Sequence, residues 1–202
     1  MTPSVYFAYE DVVHREILKK ILEYLKLDIN VVNMRETHGR EQLKSDMPKY
    51  NNIAYNGLTC VVLADLDRGC PVDLLNAWLT GIRKSDNLIL RFAVMEAEAW
   101  LLADYKCISE YLRVDETLIT RLGLPDRILD PKGAIMKIAE KSRLKDLRDD
   151  IVSDNLSYRR VGQGYNYRMQ ELISFHWDVK RAAHSSESLD RFISAMRSHS
   201  WV

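Results

Sequence analysis

Apolar and polar positions follow two rhythms along the first half of this chain. Near-continuous apolar runs occur at Val5-Tyr6-Phe7-Ala8-Tyr9, at Cys60-Val61-Val62-Leu63-Ala64 and at Leu88-Ile89-Leu90-Arg91-Phe92-Ala93-Val94. Runs of that length, rich in β-branched and aromatic residues and closed by turn residues, read as strands of a parallel sheet buried on both faces. Between them, apolar residues return every three or four positions. Val13, Ile17, Leu18, Ile21, Leu22 and Leu25 predict a helix after the first strand, and Pro71 opens one that carries Val72, Leu74, Leu75, Trp78, Leu79 and Ile82. Leu27 to Val32 alternates weakly and predicts a second strand. The polar stretch from Arg35 to Tyr50 predicts a loop followed by a helix over residues 40–47. Met95 to Asp104 predicts a helix leaving the fourth strand.

After Asp104 the strand rhythm stops. Residues 108–112, 116–122 and 143–152 predict short helices. Asp130-Pro131-Lys132 is a helix start with Asp as N-cap, and Ile135, Ile138 and Ala139 continue it. Residues 159–165 predict a Gly-containing loop, followed by a helix through Met169, Leu172, Ile173 and Phe175. Ser185-Ser186 caps a last helix carrying Leu189, Phe192, Ile193 and Met196. The expectation is an α/β fold: a mainly parallel four-stranded sheet flanked by helices over residues 1–104, with an α-helical extension over 105–202 packed on it as one body. No internal repeat is visible.

Composition narrows the classes. The 202 residues can bury one good core. Basic and acidic residues balance at 29 each, which excludes a protein coated in nucleic-acid-binding charge but not a local basic patch. No apolar run approaches a membrane helix, the start Met1-Thr2-Pro3-Ser4 carries no secretory pattern, and Cys60, Cys70 and Cys107 lack metal-type spacing. These features place the chain in a reducing cytoplasm. There is no phosphate-binding Gly-x-x-x-x-Gly-Lys-Ser/Thr loop, no dinucleotide Gly-x-Gly-x-x-Gly and no Gly-x-Ser-x-Gly elbow.

Candidate chemistry lies where strands end. Parallel sheets present ligand sites at the carboxyl ends of their strands. Glu10 follows the first strand, Asp65 and Asp67 follow the central one, and Glu96 and Glu98 follow the fourth, with Asp104 further along. Period-two geometry puts Asp65 and Asp67 on one side if the strand persists. Converging carboxylates repel unless a cation neutralises them, and hard oxygen ligands suit Mg²⁺ or Mn²⁺. Such an ion supports phosphodiester displacement. An Asp-x-Asp alone is common, however, and acids at helix N-termini are favoured by the dipole without any function. Arg68 could hold a phosphate or pair with an acid. Lys132 could meet substrate or an acid, or be merely exposed. His14, one helical turn beyond Glu10, could approach the site or simply pack. Arg91 could pair with a buried acid or mark the end of a shorter strand. The Gly162-Gln163-Gly164 loop could touch phosphate or be only a turn.

A Glu after the first strand and an Asp-x-Asp after a later parallel strand resemble the Toprim pattern of topoisomerases, DnaG-type primases and nucleases of the overcoming-lysogenization-defect type. The matching residues are Glu10, Asp65 and Asp67. Residues 62–71 (Val-Leu-Ala-Asp-Leu-Asp-Arg-Gly-Cys-Pro) resemble an uncharacterised bacterial family of small Toprim-like proteins. So do residues 91–104, Asp130-Pro131-Lys132 and Gly162-Gln163-Gly164-Tyr165-Asn166. The resemblance implies a Mg²⁺ or Mn²⁺ site on Glu10, Asp65 and Asp67 for nuclease chemistry on DNA or RNA. It also implies action with a separate ATPase in phage defence, and leaves open a homodimer or a non-catalytic module that docks such a partner. One departure is that no Gly precedes the Glu in Phe7-Ala8-Tyr9-Glu10-Asp11-Val12.

Overall fold

The computed structural model describes residues 2–152 and 161–201. Four strands form one parallel sheet. They are β1 (Ser4–Tyr9), β2 (Asn30–Glu36), β3 (Thr59–Asp65) and β4 (Leu88–Ala93), in the spatial order β2-β1-β3-β4. The chain runs from β1 to β2 on one side, then crosses to β3 on the other. That reversal opens a crevice between the carboxyl ends of β1 and β3, the place where ligands bind in sheets of this kind.

The apolar runs are continuous because both faces of the sheet are covered. Val5, Phe7, Tyr9, Val61, Leu63 and Ile89 face one core. Ala8, Cys60, Val62, Ala64, Leu88, Leu90 and Phe92 face another. Trp78 and Phe92 meet edge to face in the second core, with ring centroids 5.1 Å apart. Helix α1 (Val12–Leu25) lies on the first face. Helices α2 (Arg40–Ser45), α3 (Met47–Tyr55) and α4 (Pro71–Trp78) contribute Leu43, Met47, Tyr50 and Trp78 to the second.

The remaining helices all join the first face. They are α5 (Ala97–Leu102), α6 (Tyr105–Leu112), α7 (Thr117–Thr120), α8 (Pro131–Ala139), α9 (Lys145–Ile151), α10 (Tyr165–Phe175), α11 (Val179–Ser185) and α12 (Glu187–Ser198). Trp100, Ile108, Ile135, Met169, Trp177 and Leu189 share one cluster with Val13 and Ile17 of α1 and with Phe7 of β1. Trp100 stacks on Phe192 of α12 at 5.6 Å. No helix among the described residues is long and apolar enough to cross a membrane.

The α/β class, the parallel sheet and the C-terminal helices are as expected; several boundaries move. The second strand lies at Asn30–Glu36 rather than 27–32. It is an edge strand, with Val31 and Val32 exposed, so no buried stripe marks it. The helix expected over 40–47 is broken at Asp46 into α2 and α3. The helix after β4 starts at Ala97 and ends at Leu102, and a new one starts at Tyr105 with Asp104 as its N-cap. Arg91 neither ends β4 nor finds an ion-pair partner among the described residues. It sits within the strand, and its guanidinium donates to the Leu90 carbonyl at 2.9 Å.

Candidate metal centre

The site is assembled from the start of α1, the end of β3 and the start of α5. β1 and β3 are paired neighbours, so Glu10, one residue past β1, stands beside Asp65, the last residue of β3. The Asp65 backbone N–H donates to Glu10 Oε1 at 2.8 Å. Asp11 is the N-cap of α1 and accepts from the N–H groups of Val13 and His14. The cap places His14 in the first turn, pointing back to the rim. His14 is buried, with Nδ1 2.8 Å from Asp11 Oδ1 and Nε2 3.0 Å from Asp65 Oδ1. Asp65 Oδ1 also accepts the Ala97 N–H of α5 at 2.8 Å.

Glu10, His14 and Asp65 each turn one ligand-type atom inward, and these atoms lie within 4.8 Å of one another. A carboxylate–imidazole–carboxylate set fits a divalent cation, since metal bonds to such ligands are about 2.0–2.2 Å long and small shifts would bring all three to one ion. Without an ion, protons occupy this cluster and a cation must displace them. Burial, followed by the Asp65 charge, pushes Glu10 up to about 7. Burial opposes a charge on His14, but the flanking Asp65 and Asp11 carboxylates outweigh it and hold the imidazole well above its usual range. Burial would also raise Asp11; the His14 hydrogen bond and charge win and hold it at about 2.

Two further acids line the same rim at one remove. Glu98 is buried, accepts from the Tyr165 hydroxyl at 3.0 Å, and lies 3.7 Å from the Lys132 ammonium. Burial pushes Glu98 up to about 7, and burial together with Glu98 raises the Tyr165 phenol well above its usual range. The Lys132 ammonium sits 4.7 Å above the Tyr165 ring. Glu96 accepts the Lys132 backbone N–H at 3.1 Å, so it closes the N-terminus of α8, and burial raises its pKa. Of the alternatives open for Lys132, the acid contact is the one formed.

Asp67 is not part of the cluster. β3 ends at Asp65, and Asp67 takes a left-handed backbone (φ 54°), which breaks the period-two geometry that would have aimed it beside Asp65. Its carboxylate is exposed and ion-paired with Arg40 of α2. Its N–H bonds the carbonyl of Met95, itself left-handed at φ 65°. Arg68 is exposed on the same turn and forms no ion pair among the described residues. Asp104 is also elsewhere: it is buried and held by the Arg181 guanidinium through two bonds of 2.9 Å.

The Gly162-Gln163-Gly164 loop serves packing. A Cβ on Gly162 would come within 2.2 Å of the Asp150 carbonyl oxygen, and one on Gly164 within 2.6 Å of the Asp150 side chain. Residues 159 and 160 of the expected loop lie outside the described residues. Reading the sequence alone missed Asp11, Arg40 and Tyr165. Asp11 carried a usable signal, an Asp directly before an apolar-periodic run. Comparison of the chain with family models, curated proteins and solved structures gives no match.

Proposed function

We propose that the chain is a divalent-metal-dependent phosphodiester hydrolase, a nuclease or nuclease subunit that acts on DNA or RNA. The observation that carries this reading is the convergence of Glu10, His14 and Asp65 at the crevice between β1 and β3. A divalent cation bound there supplies an activated water and neutralises phosphoryl oxygens. Glu10 would serve as a ligand to the ion or as the general base beside it. Arg68, exposed on the turn after β3, offers a cation for a phosphate backbone. The Toprim-like motifs point the same way, and the lack of an ATP loop fits a separate ATPase partner.

A second reading, a non-catalytic docking module, is favoured by one observation: Asp67 is spent on Arg40 rather than turned toward the cluster. The two are separated by incubating the purified chain with plasmid DNA, single-stranded DNA and RNA in Mg²⁺ or Mn²⁺. Asp65→Asn keeps an oxygen to accept the Ala97 N–H but loses the charge. Divalent-dependent cleavage that falls by about 100-fold or more in Asp65→Asn, with an unchanged circular dichroism spectrum, is the expected result. Equal cutting by parent and variant, or no cutting by either, contradicts the nuclease reading.

A further inference from the structure

Two features of the rim do not suit an all-oxygen magnesium site. An imidazole, 1% exposed, stands at its centre with Nε2 aimed at Asp65. Asp67, the residue that a paired-carboxylate site would use, is turned out and tied to Arg40. We propose that the ion of this site is a transition metal of the Mn²⁺ class, held by Glu10, His14 Nε2 and Asp65, with Asp11 orienting the imidazole from behind.

The chemistry runs through the two ring nitrogens. A metal-bound histidine donates its other N–H to a carboxylate or carbonyl, which fixes the ring's orientation; here Nε2 faces Asp65 Oδ1 at 3.0 Å through its proton, and an ion binding at Nε2 takes that proton's place. Asp11 Oδ1 is 2.8 Å from Nδ1 and is itself fixed as the N-cap of α1, so the orientation of His14 is built into the first turn of the helix. Mg²⁺ prefers six oxygens in a strict octahedron and keeps its waters, whereas imidazole suits Fe²⁺, Ni²⁺, Cu²⁺ and Zn²⁺; Mn²⁺, itself oxygen-preferring, still accepts a nitrogen ligand more readily than Mg²⁺. A nitrogen ligand therefore moves selectivity away from Mg²⁺. The inference rests on the metal part of the reading above and needs no cleavage to be true. In this arrangement Asp67 and Arg40 are a surface pair beside the centre.

The test uses the full chain and Mn²⁺ alone. Electron spin-echo spectroscopy of the Mn²⁺ complex reads directly coordinated nitrogen, and calorimetry reads affinity. The expected result is nitrogen modulation in the parent, altered by isotopically labelled histidine and lost in His14→Gln. Mn²⁺ should bind more tightly than Mg²⁺, and Asp11→Asn should weaken Mn²⁺ binding by about 10- to 100-fold. Asp67→Asn should leave binding unchanged. The chain has five histidines, so if His14→Gln does not fold, Asp11→Asn makes the assignment: of the five rings Asp11 touches only that of His14, and the variant should change the nitrogen coupling. The absence of nitrogen modulation in the parent overturns the proposal, as does Mg²⁺ binding as tight as Mn²⁺ or an Asp67→Asn variant that loses Mn²⁺. Cleavage by a protein whose Mn²⁺ spectrum lacks nitrogen coupling would overturn this ligand set and leave the nuclease reading standing. Nitrogen coupling without cleavage would do the reverse.

Discussion

Glu10 and Glu98 both titrate near 7 because burial disfavours their charged forms. An acid whose pKa rises on folding holds its proton more tightly in the folded state. Between about 4.5 and about 7 these two groups hold more protons in the folded chain than in the unfolded one, which makes stability fall as pH rises; His199, lowered by burial, is a single group acting in the opposite sense. His14 acts in the same sense as Glu10 and Glu98: its contribution is full below its unfolded pKa and is lost as pH climbs toward its raised value. Asp11, held at about 2, matters only in acid. The metal-free protein should accordingly show a lower urea midpoint at pH 8 than at pH 5, with the fall flattened in Glu98→Gln. A midpoint that rises over this range would show that the carboxyls are not destabilised by burial. At this scale the sequence was informative where a residue touches a strand end. Glu10 and Asp65 follow from the rule that ligands gather at carboxyl ends. Asp67 was misplaced because alternation was carried through a strand that stops two residues earlier. His14 was underweighted because its partner Asp65 is 51 positions away, a separation no local pattern reports.

Elements were legible in proportion to their burial. β1, β3 and β4 carry apolar runs on two covered faces and were placed to within a residue or two. β2 is an exposed edge, and its best pattern lay three residues too early. α8 was marked by Asp130 and Pro131, and the Asp130 carboxylate does accept the Gly133 N–H at 2.8 Å. The last helix was marked by Ser186, which accepts from Leu189. α3 and α11 had no equally strong signal: α3 follows a polar stretch, and α11 is a short helix. The loop before α10 shows how a functional-looking motif can be structural. Gly162 donates its N–H to the Ile151 carbonyl and passes so close to Asp150 that no Cβ fits. Gly162→Ala should cost about 1–3 kcal/mol in denaturant unfolding, the usual range for overpacking, by forcing α9 and α10 apart. An alanine variant as stable as the parent would return the loop to the list of possible phosphate contacts.

For the whole molecule, strand order decides where chemistry can occur. The order β2-β1-β3-β4 puts the crossover reversal between β1 and β3, and acids follow both strands there. α1 caps itself with Asp11 and thereby aims His14 into the crevice; α5 docks its first N–H on Asp65; α8 and α10 add Lys132 and Tyr165 from the C-terminal half. The helices after residue 104 thus help to build the rim, and Lys132 and Tyr165 tie their positions to Glu98. On the reading proposed above, this rim holds a divalent ion through Glu10, His14 and Asp65. A crystal grown at neutral pH and soaked in Mn²⁺ measures it most directly, through the anomalous signal of the metal. The expected result is one anomalous peak bonded to Glu10, His14 Nε2 and Asp65, with Asp67 still on Arg40. A peak bonded to Asp67 in place of His14, or no peak in the crevice, would contradict it.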